Sequence, residues 1–532
     1  MALLLALLAL LLISAIGLGM VYMSNMESEI AYNYKDTQTA FFSVRAGLEE
    51  MRDRMQSNSP SAITLPTTMP PAVNSIVYIT NPAAGEAVTP ATPGSAYFDD
   101  EYCHESFSGT GGTPYSTTCS GAAAAPAAGS FTTVASVSPY TGTAAALKYK
   151  WVRVTLKQNA TVGTVATQYV DSAQPATSPV CWNQNTSQET TSTSLGAYAT
   201  CALAAAAGFN VEPVYLVTAL AITPQGSRRV AQYETAALNI TPPASALALD
   251  GPGATFNPAP HSNNYFASGN NSAVNVGNAG VPSTYTPWTG PAGQCNSLTP
   301  TQAPAISTGD QAGVNSITNP ATGIPANRDS NYTGTAPPAP AGPTPSVVNE
   351  GGAGSPLASS QWSSPSQLNT LVSEMSNLAN SSLTCGIGGV AQTVGGPTAA
   401  CTPPAGGLGT DAVPLVTYVN GDFNMGANSG AGILIVTGTL SITGNSSFDG
   451  LVMVVGQGVL TENGGGNGQF NGSLFLANTN GSAYPFSQLG TLGSPQIQWN
   501  GGGTNGIQYN SCWADINSNL GYIVVASREE MY

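Results

Sequence analysis

Met1-Ala-Leu-Leu-Leu-Ala-Leu-Leu-Ala-Leu-Leu-Leu-Ile-Ser-Ala-Ile-Gly-Leu-Gly-Met-Val-Tyr-Met-Ser-Asn-Met26 carries no charged side chain, and the organisation of the whole chain follows from how this run is read. At ~1.5 Å of rise per residue, an α-helix needs about 20 apolar residues to cross a hydrocarbon layer of ~30 Å. This run is longer than that. Charge arrives at Glu27 and Glu29, yet no proline interrupts before Pro60. Ile30, Tyr34, Thr37, Phe41, Val44, Leu48, Met51 and Met55 then recur at spacings of three and four, which places them on one helical face. Glu49, Glu50, Arg52, Asp53 and Arg54 are assigned to the opposite face, with Glu50 and Arg54 in the favourable i, i+4 order. The pattern predicts one helix over residues 1–58, apolar all round in its first half and striped in its second.

Three uses compete for the apolar half. A cleaved signal peptide asks for a basic leading region and a shorter core, and the first basic residue here is Lys35. A simple membrane anchor leaves the striped half without a purpose. A helix that lies first in a membrane and later in the core of a polymer gives both halves a burial partner. On that reading Leu3, Leu5, Leu8, Leu12, Ile16, Gly17, Gly19 and Val21 form a filament core, and Phe41, Val44, Leu48 and Met51 pack a head.

The stretch Ala40-Phe-Phe-Ser-Val-Arg-Ala-Gly-Leu-Glu49, together with the apolar start and the glycines at 17 and 19, resembles the N-terminal region of type IV pilins and pseudopilins, in particular the PilX-like group. The likeness covers about the first 58 residues, with Leu5 where most members carry glutamate. It implies a subunit processed by a prepilin peptidase and handled by pilus assembly machinery in the inner membrane, with the chain from Met1 corresponding to the mature form. It also implies an antiparallel sheet packed on the second half of the helix, and export into an extracellular homopolymeric filament.

Composition restricts the remainder. Of 532 residues only 7% are charged, the net charge is −15, and glycine and proline number 60 and 39. A surface of Ser, Thr, Asn, Gln and Gly follows. Twelve Lys and Arg, four of them on the first helix, argue against a basic face for nucleic acid. The eight cysteines all lie beyond the helix and read as disulfides of an extracytoplasmic chain. Spacing favours Cys103–Cys119, Cys181–Cys201 and Cys385–Cys401, leaving Cys295 with Cys512; each short loop contributes about 3 kcal/mol by restricting the unfolded chain. No C-x-x-C pair supports a metal site, and no cofactor is expected.

The expected fold class is α+β. Residues 59–245 form the sheet head, containing the strands Ser75–Thr80 and Leu147–Lys157 and the hairpin Val214–Thr235. Arg228 and Arg229 are read there as a solvated guard on an edge strand. Residues 246–362 are Pro/Gly/Ala/Asn/Ser-rich and read as an extended segment without a core of its own. Residues 363–408 hold a helix capped by Ser364 with Pro365 at its first position, followed by a disulfide loop. In 409–532, Val416–Val419, Gly432–Val436, Gly450–Val455 and Gly472–Leu476 are continuous apolar runs 16 to 22 residues apart. They predict stacked parallel strands, a small β-helix, with an antiparallel sandwich as the alternative and Tyr522–Ala526 extending or covering the stack.

No catalytic constellation emerges. Asp422, Asp449, Glu462 and Asp515 are scattered singly, with Asp422 and Asp449 read as turn caps, and neither His104 nor His261 sits beside a convincing nucleophile. The expected function is structural, as a filament subunit. The alternatives are a minor tip adhesin that binds a surface ligand through aromatics near Trp499, Tyr509 and Trp513, and, less favoured, a membrane-anchored polysaccharide-acting enzyme.

Overall fold

In the computed structural model, all residues are described except 57–58, 60, 70–74, 84, 93, 100–148, 163–166, 258–264, 272–302, 335–344, 353–354, 359–360, 393–395, 464–465, 482–485, 500–505, 515–519 and 532. The first element is a continuous helix, Ala2–Arg54, with no break at Gly17 or Gly19. Its second half lies on an antiparallel sheet. The strands Ile76–Thr80, Tyr149–Leu156, Val211–Ile222 and Arg228–Ala237 pair in that order, and the turn of the last two is closed by Thr223 N–H donating to Ser227 O.

Val44, Leu48 and Met51 are fully buried against Ile79, Val152, Val154, Val217 and Ala219, which is where the three-and-four spacing is used. Burial at ~25 cal/mol per Å² makes each of these side chains worth about 1.5–3 kcal/mol. Gly47 lets the Tyr149 ring cross the helix, since a Cβ there would stand 2.8 Å from its Cγ.

The structure corrects two assignments of charge. Glu50 and Arg54 are not on the solvent face: both are about 1% exposed, with Arg54 Nη2 donating to Glu50 Oε1 at 2.6 Å and the Tyr149 hydroxyl donating to Glu50 Oε2 at 2.7 Å. The helix turns these two groups toward the sheet because Tyr149 and the Ser61 carbonyl supply the polar partners an apolar stripe would not. Arg54→Ala is therefore expected to cost about 3–5 kcal/mol in chemical unfolding, because it strands the Glu50 charge, whereas Arg52→Ala on the exposed face changes stability by less than about 0.5 kcal/mol. Arg228 and Arg229, in turn, do not guard an edge. Their strand is paired on its far side with Tyr522–Met531, and the Arg229 guanidinium lies 5.5 Å from the centre of the Phe41 ring.

That pairing also relocates the C-terminal run. Tyr522–Met531 completes the sheet on the N-terminal helix instead of extending the stack, with Val524 opposite Thr235 and Arg528 opposite Gln232.

The C-terminal apolar runs do pair in parallel, which excludes the antiparallel sandwich. Ser381–Thr384, Val413–Asn420, Ser429–Val436, Ser447–Gly456, Gln469–Asn480 and Gly506–Tyr509 follow one another in one sheet. Phe423–Asn424, Thr439–Ile442, Val459–Glu462 and Gln496–Trp499 follow in a second. Leu434, Val436, Val452, Val454, Leu474 and Leu476 of the first share a core with Leu440, Ile442, Leu460 and Ile497 of the second. The opposite face of the first sheet, with Ile433, Ile435, Met453, Val455 and Phe475, is covered by Leu368, Leu371 and Met375 of the helix Pro365–Leu378 and by Trp362 and Trp513. Both faces are buried, so the runs are continuous and do not alternate. The Ser364 side chain accepts from Gln367 N–H at the start of the covering helix, with Pro365 in its first turn.

The segment 246–362 is not merely extended. Leu247–Asp250, Ile306–Thr308 and Val347–Asn349 add parallel strands beside Gln469–Asn480, and Thr255–Asn257 and Phe266–Ser268 join the two stacked sheets. Leu247, Leu249, Ile306, Ile317 and Tyr332 are buried in the core they share with the C-terminal strands. A segment too poor in apolar residues for its own core thus borrows one.

Cys181–Cys201 and Cys385–Cys401 are disulfide-bonded. Cys512 is also in a disulfide; Cys103, Cys119 and Cys295 lie outside the described residues.

Candidate functional site

The most conspicuous surface is the first half of the N-terminal helix. Leu3, Leu5, Leu8, Leu12, Ile16 and Val21 are all more than half exposed, from 80% at Leu3 to 51% at Ile16. Among the described residues, Ala2–Arg54 is the one helix long and apolar enough to cross a membrane, judged by length and composition, and the apolar window within it is entirely unburied. Gly17 and Gly19 face open space, since a Cβ at either would meet nothing within 4 Å. Nothing inside the chain therefore requires these two residues to be small. The polar interruptions are satisfied locally: the Ser14 hydroxyl donates to Leu10 O and the Ser28 hydroxyl to Ser24 O, each at 2.8 Å. Such back-bonding leaves the run with no side-chain donor that must find water before Asn25 except the Tyr22 hydroxyl and Ser24.

Burial begins abruptly at Asp36, whose Oδ2 accepts the Thr223 hydroxyl at 2.8 Å from the hairpin turn. Phe41, assigned to head packing, is only half buried and is held between the guanidiniums of Arg45 and Arg229, 5.2 and 5.5 Å from its ring centre. From there to Arg54 the helix is fixed by Ala40, Val44, Gly47, Leu48, Met51 and the Glu50–Arg54–Tyr149 network. Burial raises the Tyr149 phenol well above its ordinary range, the Glu50 charge adding to the effect. The rod ahead of Asp36 is about 50 Å long, from ~1.5 Å per residue. It is a continuous helical projection on a folded head, charge-free as far as Met26.

The carboxylates considered for catalysis are not brought together. Asp422 accepts from Gly388 N–H at 2.7 Å and Thr439 N–H at 2.8 Å, so it ties loops to the stack. Glu462 is buried inside and accepts the Tyr265 hydroxyl at 2.8 Å. Asp449 stands with Asp411 and the Asn471 amide; burial and then the Asp411 carboxylate push it up to about 7, so it is a neighbour of another acid and not a simple turn cap. Asp515, His104 and His261 lie outside the described residues. Among the described residues no group of three His, Cys, Asp or Glu is arranged to hold a metal ion.

The aromatics offered as a ligand platform are interior. Trp499 packs edge-on against Tyr265, Trp513 sits under the first parallel sheet, and Tyr509 is buried in the core between the sheets. Sequence reading also passed over Asp36, Asp250 and Glu350. Only Asp36 had a local signal, as the first acid on the striped side of the helix.

Comparison with family models, curated proteins and solved structures gives no match for the chain.

Proposed function

We propose that this chain is the structural subunit of an extracellular filament of the type IV pilus kind, polymerising through the helix 1–35. The observation that carries the reading is the junction at Asp36: one uninterrupted helix is bare before it, free of charge as far as Met26, and locked into a folded sheet after it. A cleaved signal peptide has no need of a rigid continuation, and an anchor has no need of a rod fused without a joint to its head. A helix that exchanges lipid for neighbouring copies of itself uses both properties.

Association rests on burying the Leu-rich surface at ~25 cal/mol per Å² once the rod has left the membrane. The bare positions Ala6, Ala9, Ala15, Gly17 and Gly19 permit close approach of neighbouring helices. On this reading the helix with its antiparallel sheet corresponds to a pilin head, the parallel stack to a β-helix facing outward, and the chain resides in the inner membrane before assembly. Prepilin peptidase and the assembly machinery would be its transient partners. The role is structural and calls for no cofactor.

The test is to shear surface fibres from cells that express the chain and quantify it by mass spectrometry against total fibre protein. The chain is expected as the main component. A few copies per fibre would transfer it to the tip reading, and its recovery only as a monomer in the membrane fraction of assembly-competent cells would overturn the proposal.

A further inference from the structure

Between Leu238 and Gly521 the chain has ten Asp and Glu but a single arginine, Arg328, and no lysine. A buried carboxylate in this region therefore has almost no cation to meet. Two acids are nevertheless interior: Asp250 is 3% exposed and Glu350 9%, and among the described residues Asp250 Oδ2 and Glu350 Oε2 have no hydrogen-bond partner. Asp250 ends one parallel strand and Glu350 stands just past the end of another, with Ile306–Thr308 paired between them. The register pairs Leu249 with Thr308 and Thr308 with Asn349, so the next row runs Asp250, Gly309, Glu350. Gly309 has no side chain, and a Cβ there would stand 2.9 Å from Asp250 Oδ1, so the Asp250 carboxyl leans over the middle strand. Glu350 hydrogen-bonds to Ser307 of that same strand, and Ser307 Oγ is 2.7 Å from Ser245 Oγ.

The elements packed against these strands supply no compensating charge. Gln469–Asn480 and Ile306–Thr308 contain no titratable side chain, and Val347–Asn349 contains none before Glu350 itself. The helix Gln311–Thr318 adds only its capping residue, Asp310, a third acid, whose carboxylate is taken up by Gly253 and Gly313 N–H. Arg328 lies in the short helix Ala326–Asn331, where its charge acts on Tyr332, and it is not among the causes that shift Asp250 or Glu350.

We propose that the three strands Leu247–Asp250, Ile306–Thr308 and Val347–Asn349 are closed by protons: Asp250 and Glu350 are folded as neutral carboxylic acids, and the strands separate when these groups ionise. A neutral carboxyl is far cheaper to bury than an unpaired carboxylate. Consistently, burial pushes Asp250 up to about 8 and Glu350 up to about 7, the Ser307 hydroxyl only partly opposing the latter. The sign follows from proton binding. The folded chain holds protons that the unfolded chain, with ordinary carboxyl values of 3.8 and 4.5, has already released. Stability is therefore greatest in acid and is lost as the pH rises from those ordinary values through about 7 and then about 8. The medium in which this part of the chain is fully closed is acidic.

The test is amide hydrogen exchange of the full-length protein in detergent at about pH 5 and about pH 9, corrected for intrinsic exchange. Protection of Ile306–Thr308 and Val347–Asn349 is expected to fall at least roughly a hundredfold at the higher pH. In Asp250→Asn with Glu350→Gln, which mimic the neutral acids, it should fall less than about threefold. In parallel, the infrared band of protonated carboxyls at about pH 6.5 should be clearly weaker in the double variant than in the wild type, the remainder belonging to Asp449, which burial and the Asp411 carboxylate also hold up to about 7. Equal wild-type protection at both pH values, an equal fall in the double variant, or a band undiminished in the double variant would each overturn the proposal.

Discussion

Gly450→Val should prevent the parallel stack from forming, seen as loss of its cooperative melting transition and as protease sensitivity of residues 413–480. Gly432, Gly450 and Gly472 are partners across three successive strands. At Gly450 the backbone has φ +146°, a region that side-chain-bearing residues almost never adopt, and a Cβ there would stand 1.8 Å from Gly432 O. The same holds one strand on, where a Cβ at Gly472 would stand 1.9 Å from Gly450 O. No side chain rotation relieves a clash with backbone. The neighbouring carbonyls are also committed to the parallel ladder, so the cost should exceed about 4 kcal/mol, the range reserved for core disruption and special backbone geometry. Gly388→Asn is the matched control. It too has positive φ, +57°, but there a Cβ meets nothing within 4 Å, and asparagine accepts that left-handed conformation. Its melting temperature should move by no more than about 2 °C.

This column also shows what could be read from residues alone. Gly432, Gly450 and Gly472 each open a continuous apolar run, and the runs themselves revealed the stacking because both faces of the sheet are covered. The N-terminal helix was equally legible, since a charge-free run followed by a three-and-four stripe has few other solutions. The hairpin Val214–Thr235 and the two disulfide loops Cys181–Cys201 and Cys385–Cys401 carried their signal within about twenty residues.

Features that depend on distant partners left no such trace. The strand Ile306–Thr308 has one large apolar residue, and it is ordered because Leu247 and Val347 flank it from 59 and 41 positions away. The strand Tyr522–Met531 is as compatible with the stack as with the head sheet, and only its pairing with Arg228–Ala237 decides. Glu50 and Arg54 showed their mutual attraction in the i, i+4 spacing but not their burial, which Tyr149 makes tolerable from 99 residues downstream. The exposed rod is the clearest case. Sequence alone distinguishes apolar from polar there, but not buried from bare, and the bareness is what the proposed filament role draws on.

Leu12→Lys should remove the chain from filaments while leaving its head intact. Leu12 lies near the middle of the apolar run and is 59% exposed in the isolated chain, so it makes no contact that folding depends on. Burial starts at Asp36, 24 residues further along the helix, or about 36 Å at ~1.5 Å per residue. The melting temperature of the head in detergent should therefore change by less than about 2 °C. In a bilayer a lysine at the centre of a spanning helix costs about 2.5–3.5 kcal/mol. In a polymer core the penalty recurs in every subunit, with no acid within the run from Met1 to Met26 to pair with it. Filament yield should fall at least about a hundredfold. Leu12→Met, which keeps volume and apolarity, should leave it within about twofold. Phe42→Ala, on the exposed side of the helix beyond the rod, separates the rod from general surface greasiness: Phe42 is 63% exposed, but its neighbour Phe41 is held by the head, and yield should again be close to wild type. Normal incorporation of the lysine variant would mean that copies do not meet along residues 1–35, and the apolar half would then be an anchor and nothing more.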